Sequence, residues 1–328
     1  MVGAVLVHEG RIIGEGFHRR FGEAHAEVNC LNSVQSKDTA LISKSTLYVS
    51  LEPCSHFGKT PPCSDLIIKN KIPHVVIGCR DSFEKVNGSG TEKLLAAGIK
   101  TDIGILGKEC RALNKRFFTF HEKQRPYIIL KWAQSANGKI AGEGGATVKI
   151  SNRFTDRFVH KWRCESAAIF GGTNTVLQDD PALTVRHWPG KNPVRIIVDN
   201  ELSLPPDAKI FNREAETVVI NRKKNDRVGN LIFFMLHKEE TFEEGFVRCL
   251  TVLQLNAVII EGGKKMLQVF IDAGLWDEAR VITNTGLSIA GGISAPVLSN
   301  ESFTGAEHFL DDRIDRFKKE GNEFLYND

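Results

Sequence analysis

The chain has 328 residues, 41% hydrophobic and 25% charged, an ordinary composition for a globular protein that excludes disorder as the main state. At ~100–200 residues per domain, the length predicts two domains. A formal net charge of +3 excludes a strongly basic nucleic-acid coat and an acidic tail, and no apolar run reaches the ~18–20 residues of a membrane span.

The opening MVGAVLVHEG has too short an apolar part and no basic lead for a signal peptide, so the cytoplasm is the expected location. Val2–Val7 and Ile12–Phe17 read as a hairpin turning at Glu9-Gly10. Ala26–Val34 has helical spacing, Thr46–Leu51 reads as a buried strand, Ser64–Lys69 as a helix and His74–Gly78 as another strand. A helix over Gly90–Ala97 closes at Gly98, a strand follows over Ile99–Ile103, and one long helix is expected over Lys108–Lys123. Helices between parallel strands imply a three-layer α/β/α domain. The polar step Lys123–Pro126 marks a boundary, because Pro126 cannot continue a helix. Domains over residues 1–124 and 125–328 are therefore expected. The alternation then repeats, with strands at Tyr127–Ala133, Ala167–Phe170, Val194–Val198, Thr217–Ile220, Leu231–Met235 and Ala257–Ile260. Helices are expected at Asn152–Arg163, Phe242–Leu253 and Lys264–Ala273.

Seven cysteines, an odd number without a secretory signal, argue against a disulfide framework. Cys30, Cys79, Cys110, Cys164 and Cys249 read as small buried hydrophobes. Cys54 and Cys63 differ. His25-Ala26-Glu27 opens a helix, Glu52-Pro53-Cys54 follows a strand, and Pro62-Cys63 opens the next helix. One imidazole and two thiolates make a three-ligand zinc set with a fourth position for water. Cys63, at a helix start, is the thiol whose ionised form the helix dipole should favour. Glu27 fits as the proton shuttle beside the bound water rather than as a ligand. The joint pattern matches the zinc nucleobase deaminase signature, except that eight residues separate the cysteines instead of two.

That departure carries a resemblance. LEPCSHFGKTPPC, with Gly16-Phe17-His18 and Gly22 before it and Asp81, Val86, Gly88 and Gly90 after it, resembles the deaminase half of the bifunctional riboflavin-biosynthesis deaminase–reductase (RibD) family. LKWAQSANGKIA, GGTNTVLQDDPALTVR and IIEGGKKML are similar to its reductase half. The resemblance implies a cytidine-deaminase-like domain followed by a dihydrofolate-reductase-like α/β domain. It implies zinc-dependent deamination of a diamino-ribosylaminopyrimidinone phosphate, then NADPH-dependent reduction of the ribosyl chain of the resulting uracil to ribityl. By position His18, His56 and Lys59 would face the deaminase substrate. Ala133, Thr175, Asp179, Asn200, Gly262 and Gly263 would lie along NADPH. Thr147, Arg163, Leu183, Arg186 and Glu261 would lie along the reductase substrate. Bottom-up, Arg163 and Arg186 offer planar donor forks for a sugar phosphate. Asp179 and Glu261 are the candidate proton donors. Relatives often have Trp where this chain has Lys149, whose side chain either approaches a cofactor phosphate or points to solvent.

Small-molecule pyrimidine ribose phosphates are thus the expected partners, with no nucleic acid, no membrane, and a homo-oligomer as the working form. A nucleic-acid editor should show a basic face with stacking aromatics, and no such stripe is evident. Rival readings are a different deaminase fused to a reductase-like domain, and a competent reductase with an impaired deaminase. The family motif reads N-P-M-V-G-A-V, so Met1 falls inside it. The expectation is a start assigned late, weak deamination, weak zinc retention and a competent reductase half.

Overall fold

The first unit begins as a hairpin. Strands β1 (Gly3–His8) and β2 (Arg11–Phe17) turn through Glu9 and Gly10, both at left-handed φ, 47° and 75°. That is the backbone a two-residue turn needs to match strand twist. The computed structural model describes residues 1–20, 22–57, 61–82 and 88–321. They divide into two compact units, the first running from Met1 to Glu122 and the second starting at Lys123.

After the hairpin come α1 (Ala26–Asn32), β3 (Thr46–Val49), α2 (Cys63–Lys69), β4 (His74–Ile77), α3 (Ser89–Ala96) and β5 (Lys100–Ile103). The sheet order is β2-β1-β3-β4-β5, antiparallel on both sides of β1 and parallel from β3 to β5. Leu6, Leu47, Ile67, Val75 and Leu94 form its core, all fully buried. The single helix expected over Lys108–Lys123 is two, α4 (Gly107–Leu113) and α5 (Lys115–Glu122). The break is Asn114, whose side-chain amide donates to the Met1 carbonyl at 2.7 Å. Asparagine competes for backbone partners in this way and is a weak helix former.

The second unit runs β6 (Tyr127–Ser135), β7 (Lys139–Ala141), α6 (Arg153–Glu165), β8 (Ala168–Gly171), α7 (Thr173–Asp179), β9 (Val194–Val198), β10 (Thr217–Asn221), β11 (Asp226–Val228) and β12 (Leu231–Met235). It continues with α8 (Phe242–Val252), β13 (Ala257–Ile260), α9 (Lys264–Asp272), β14 (Glu278–Asn284), β15 (Ile293–Ser294), β16 (Glu301–Phe309) and β17 (Asp312–Lys319). Ten strands form one sheet in the order β11-β12-β10-β9-β8-β13-β6-β14-β17-β16. The strands from β12 to β14 are parallel, and β11, β17 and β16 are antiparallel at the two edges. Along β6, Ile128, Leu130 and Trp132 enter one core, and Tyr127 and Ile129 the other. Burial on both faces is what a parallel sheet requires. Ligands of such sheets bind beyond the carboxyl ends of the strands. Cys54 follows β3, Gly172 follows β8 and Glu261 follows β13. No described helix is long and apolar enough to cross a membrane.

Candidate active sites

In the first unit, α1 lies close against β2. A Cβ on Gly16 would sit 2.3 Å from the Cys30 nitrogen, so only glycine lets the helix approach this near. His25 caps α1 in extended geometry (φ −68°, ψ 165°), and Glu27 lies in the first turn, 3% exposed. Cys63 is the first residue of α2, and its N–H donates to the Cys54 sulfur at 3.3 Å. His25 Nδ1 lies 3.5 Å from Cys54 Sγ and 3.3 Å from Cys63 Sγ, and the three atoms are within 4.8 Å of one another. Zn–S of ~2.3 Å and Zn–N of ~2.0–2.1 Å at tetrahedral angles put N and S about 3.5 Å apart. The donor set therefore fits zinc in type and spacing.

Burial pushes the Glu27 carboxyl up, with the Cys54 sulfur adding to the effect. The Cys54 thiol is pulled down to about 4 by hydrogen bonds from Cys63 and His25, although burial opposes this. His25 is raised, first by its bond to Cys54. Cys63 is pushed up, because its proton is held by Cys54 and burial disfavours its ionisation. The first N–H of α2 donates to Cys54 Sγ rather than to its own residue's sulfur, so the helix start acts on Cys54 as well as on Cys63.

Around this centre, the His18 ring stacks on His25 with centroids 5.3 Å apart. His56 is half-buried on the loop after Cys54. Lys59 and Val86 lie outside the described residues. Sequence reasoning assigned nothing to Glu52, a buried carboxylate that accepts from Thr91 N (2.9 Å), Thr91 Oγ1 (3.0 Å), Gly88 N (3.0 Å) and Asp81 N (3.3 Å). It ties the start of α3 to the turn that carries Cys54.

The second unit holds a cleft of ≈ 720 Å³ at the carboxyl ends of β6, β8 and β13. Ala133, Thr147, Thr175, Asp179, Glu261 and the Gly262-Gly263 turn line it, as do Lys264 and Lys265 at the start of α9. Thr147 Oγ1 donates to Asp179. Arg163, Leu183, Arg186 and Asn200 are not part of the lining. Leu183 belongs to the core, and Asn200 accepts the Arg222 N–H with its carbonyl at 3.1 Å. Lys149 lines the cleft but pairs with Asp156.

Arg163 reaches the cleft through Glu261. Its Nε and Nη2 donate to the two Glu261 oxygens at 2.7 and 2.8 Å, and Lys131 Nζ adds a third bond at 3.3 Å. Burial alone would raise the Glu261 pKa, but the charges of Arg163 and Lys131 hold it down to about 2. An ionised Glu261 is suited to orienting two cations rather than to giving up a proton. Lys131 is the residue that sequence reasoning missed. A lysine between Leu130 and Trp132, inside a strand buried on both faces, is the signal that could have found it.

Residues 126–302 match the RibD C-terminal domain family, and residues 1–79 match the cytidine and deoxycytidylate deaminase zinc-binding region. The riboflavin biosynthesis protein RibD of Aquifex aeolicus is 42% identical over 304 residues, covering 88% of this chain and 83% of that protein. The RibD protein of Escherichia coli is 34% identical, covering 84% and 79%. Among solved structures, a deaminase/reductase of Thermotoga maritima superposes with a TM-score of 0.85 at 34% identity, covering 97% of this chain and 91% of that one. Acinetobacter baumannii RibD gives 0.85 at 29% identity with the same coverage. With these matches added to a deaminase-type donor set in one unit and a phosphate-ready cleft in the other, the chain belongs to the RibD family.

Proposed function

We propose that this chain catalyses two consecutive reactions on one pyrimidine ribose phosphate: hydrolytic deamination in the first unit and NADPH-dependent reduction of the ribosyl chain in the second. The observation that carries the reading is the His25, Cys54 and Cys63 donor triangle with the buried Glu27 beside it. Bound there, zinc would lower the pKa of a water to ~7. His25, Cys54 and Cys63 would hold the metal. Glu27, whose carboxyl burial keeps unusually basic, takes a proton from the attacking water and passes it to the departing amine. By family position His18, His56 and Lys59 would serve the pyrimidine and its phosphate.

In the second unit NADPH supplies a hydride. By family position Ala133, Thr175, Asp179 and the Gly262-Gly263 turn, all on the cleft lining, would hold it, as would Asn200 from outside that lining, and the start of α9 offers backbone N–H groups suited to phosphates. Thr147, Arg163, Leu183, Arg186 and Glu261 serve the substrate, directly or by shaping its walls. Orientation and charge complementarity carry much of the acceleration. The deaminase half comprises residues 1–124 and the reductase half 125–328. Diffusible substrates fit a cytoplasmic homo-oligomer.

The test supplies purified protein with the diamino-ribosylaminopyrimidinone phosphate and follows ammonia release and NADPH oxidation separately. Both signals are expected. His25→Ala, Cys54→Ala and Cys63→Ala should each lose zinc and ammonia release together, and Glu27→Gln should keep zinc but lose at least ~100-fold in rate. Ammonia release at the normal rate by Glu27→Gln would remove the shuttle role.

A further inference from the structure

His25 enters α1 as its N-cap, yet its side chain makes no capping bond to the helix. The imidazole is turned to the two sulfurs instead. A capping side chain normally fixes how the chain enters a helix. Here that task falls to Asn29, one turn further on. Its backbone N–H donates to the His25 carbonyl at 3.0 Å, the ordinary first bond of the helix. Its side-chain amide donates to the Ala24 carbonyl at 3.2 Å, outside the helix. One residue thus holds the peptide groups on both sides of His25, and with them the direction in which the imidazole leaves the chain.

The same amide nitrogen carries a second hydrogen, and it goes to the Phe17 carbonyl at 2.9 Å. Phe17 closes β2, and His18 follows it. The two carbonyls that Asn29 holds therefore stand immediately before His18 and immediately before His25. The chain between them is stapled at both ends by one side chain. Two further bonds hold His18 within it: its N–H donates to the Val2 carbonyl at 3.0 Å, and its Nε2–H donates to the Arg20 carbonyl at 2.5 Å. The outcome is the stack of the His18 and His25 rings, 26° from parallel.

Both neighbours of the Asn29 side chain are carbonyl oxygens, which only accept, so the position calls for a group with two donors on one atom. Ser33, one turn later, makes the contrast. Its Oγ accepts the Glu15 N–H at 2.8 Å and donates to the Cys30 carbonyl at 2.7 Å. It also ties α1 to β2, but it touches neither end of the stapled segment. We propose that Asn29 is the positioning residue of the deaminase site, aiming His25 at the metal and setting His18 beside it for the pyrimidine. The proposal rests on reading the first unit as a zinc deaminase.

The experiment uses the full chain and two readouts. Zinc affinity is measured by competition with a chromophoric chelator. KM for the diamino-ribosylaminopyrimidinone phosphate is measured by ammonia release at saturating zinc. Asn29→Ala removes both donors, and Asn29→Asp replaces them with oxygen at unchanged size. Each should weaken zinc binding roughly tenfold and raise KM by a similar factor. Asn29→Gln, which keeps the amide on a longer stem, should recover part of both. The visible spectrum of the cobalt-loaded chain should shift in Asn29→Ala. Ser33→Ala should lower the melting temperature of the first unit while leaving zinc affinity, KM and the cobalt spectrum as in the wild type. Either zinc affinity or KM at the wild-type value in Asn29→Ala would overturn the proposal and leave the deaminase reading standing. Equal losses in Ser33→Ala would show a general loosening of α1 and overturn it too. A wild-type chain that neither binds zinc nor releases ammonia would overturn the deaminase reading and this proposal with it.

Discussion

A carboxylate buried beside two cations behaves differently from one buried beside two thiols and an imidazole, and Glu261 and Glu27 make the comparison within one chain. Glu261 is depressed to about 2 from an ordinary 4.5, so its ionised form stabilises the fold. That contribution is fully present above pH ~4.5 and is lost as pH falls toward 2. Glu261→Gln should therefore cost on the order of 2–3 kcal/mol at pH 7, read as a lower melting temperature of the second unit, with the gap to wild type narrowing as pH falls from about 4.5 toward 2. A gap that stays constant with pH would sink this account. Glu27 is raised, so its sign is opposite: the folded zinc-free protein disfavours the ionised form, and stability falls as pH rises above the ordinary glutamate range. Zinc-free Glu27→Gln should accordingly melt higher than zinc-free wild type at pH 7, a gain in stability at the expense of turnover.

Elements bring these side chains together, and the tightest joint is between α3 and the Pro53 turn. A Cβ on Gly90 would sit 1.9 Å from the Pro53 carbonyl oxygen, next to the residue that supplies Cys54. Glu52 holds the same joint through four hydrogen bonds. Gly90→Ala should push the turn away, cost ~1–3 kcal/mol and lower the zinc-to-protein ratio; full zinc content in that variant would show that the joint yields without moving Cys54. The element pattern was legible where burial leaves an unbroken apolar run; β14, EARVITN, is buried over its first five residues yet was missed, because Glu278 and Arg280 interrupt its run. β6, β8, β9, β10, β12 and β13 are apolar runs and were read as strands. β16, ESFTGAEHF, is largely exposed at the sheet edge, and β17, DRIDRFKK, is mostly charged although only partly exposed, so their polarity hid them. α7 is seven residues with one buried side chain, too short for helical periodicity to show. The zinc donors were legible because few residue types bind zinc and the three stand near element boundaries. The Lys131–Glu261–Arg163 cluster was only half legible, since pairing across 130 and 98 residues leaves no mark in local sequence.

At the scale of the molecule, each unit has its own sheet and its own core, and no strand is shared between them. Units built this way fold independently as a rule. A fragment starting at Lys123 is expected to oxidise NADPH with the ribosylaminouracil phosphate at a rate within about threefold of the full chain. A fragment ending at Glu122 is expected to retain as much zinc as the full chain does. A soluble but inactive Lys123 fragment would count against the assignment of the second unit, and an aggregated one against its independence.

The cations of the cleft have one more consequence. The whole chain carries a net charge of only +3, yet Lys264 and Lys265 stand together on the lining of one cleft. Attraction of that kind acts locally and fades over a Debye length, ~8 Å at physiological ionic strength. Added salt will therefore slow the capture of dinucleotide and phosphorylated sugar while leaving the hydride transfer itself untouched, so the reductase half tightens its grip in dilute buffer and loosens it in brine.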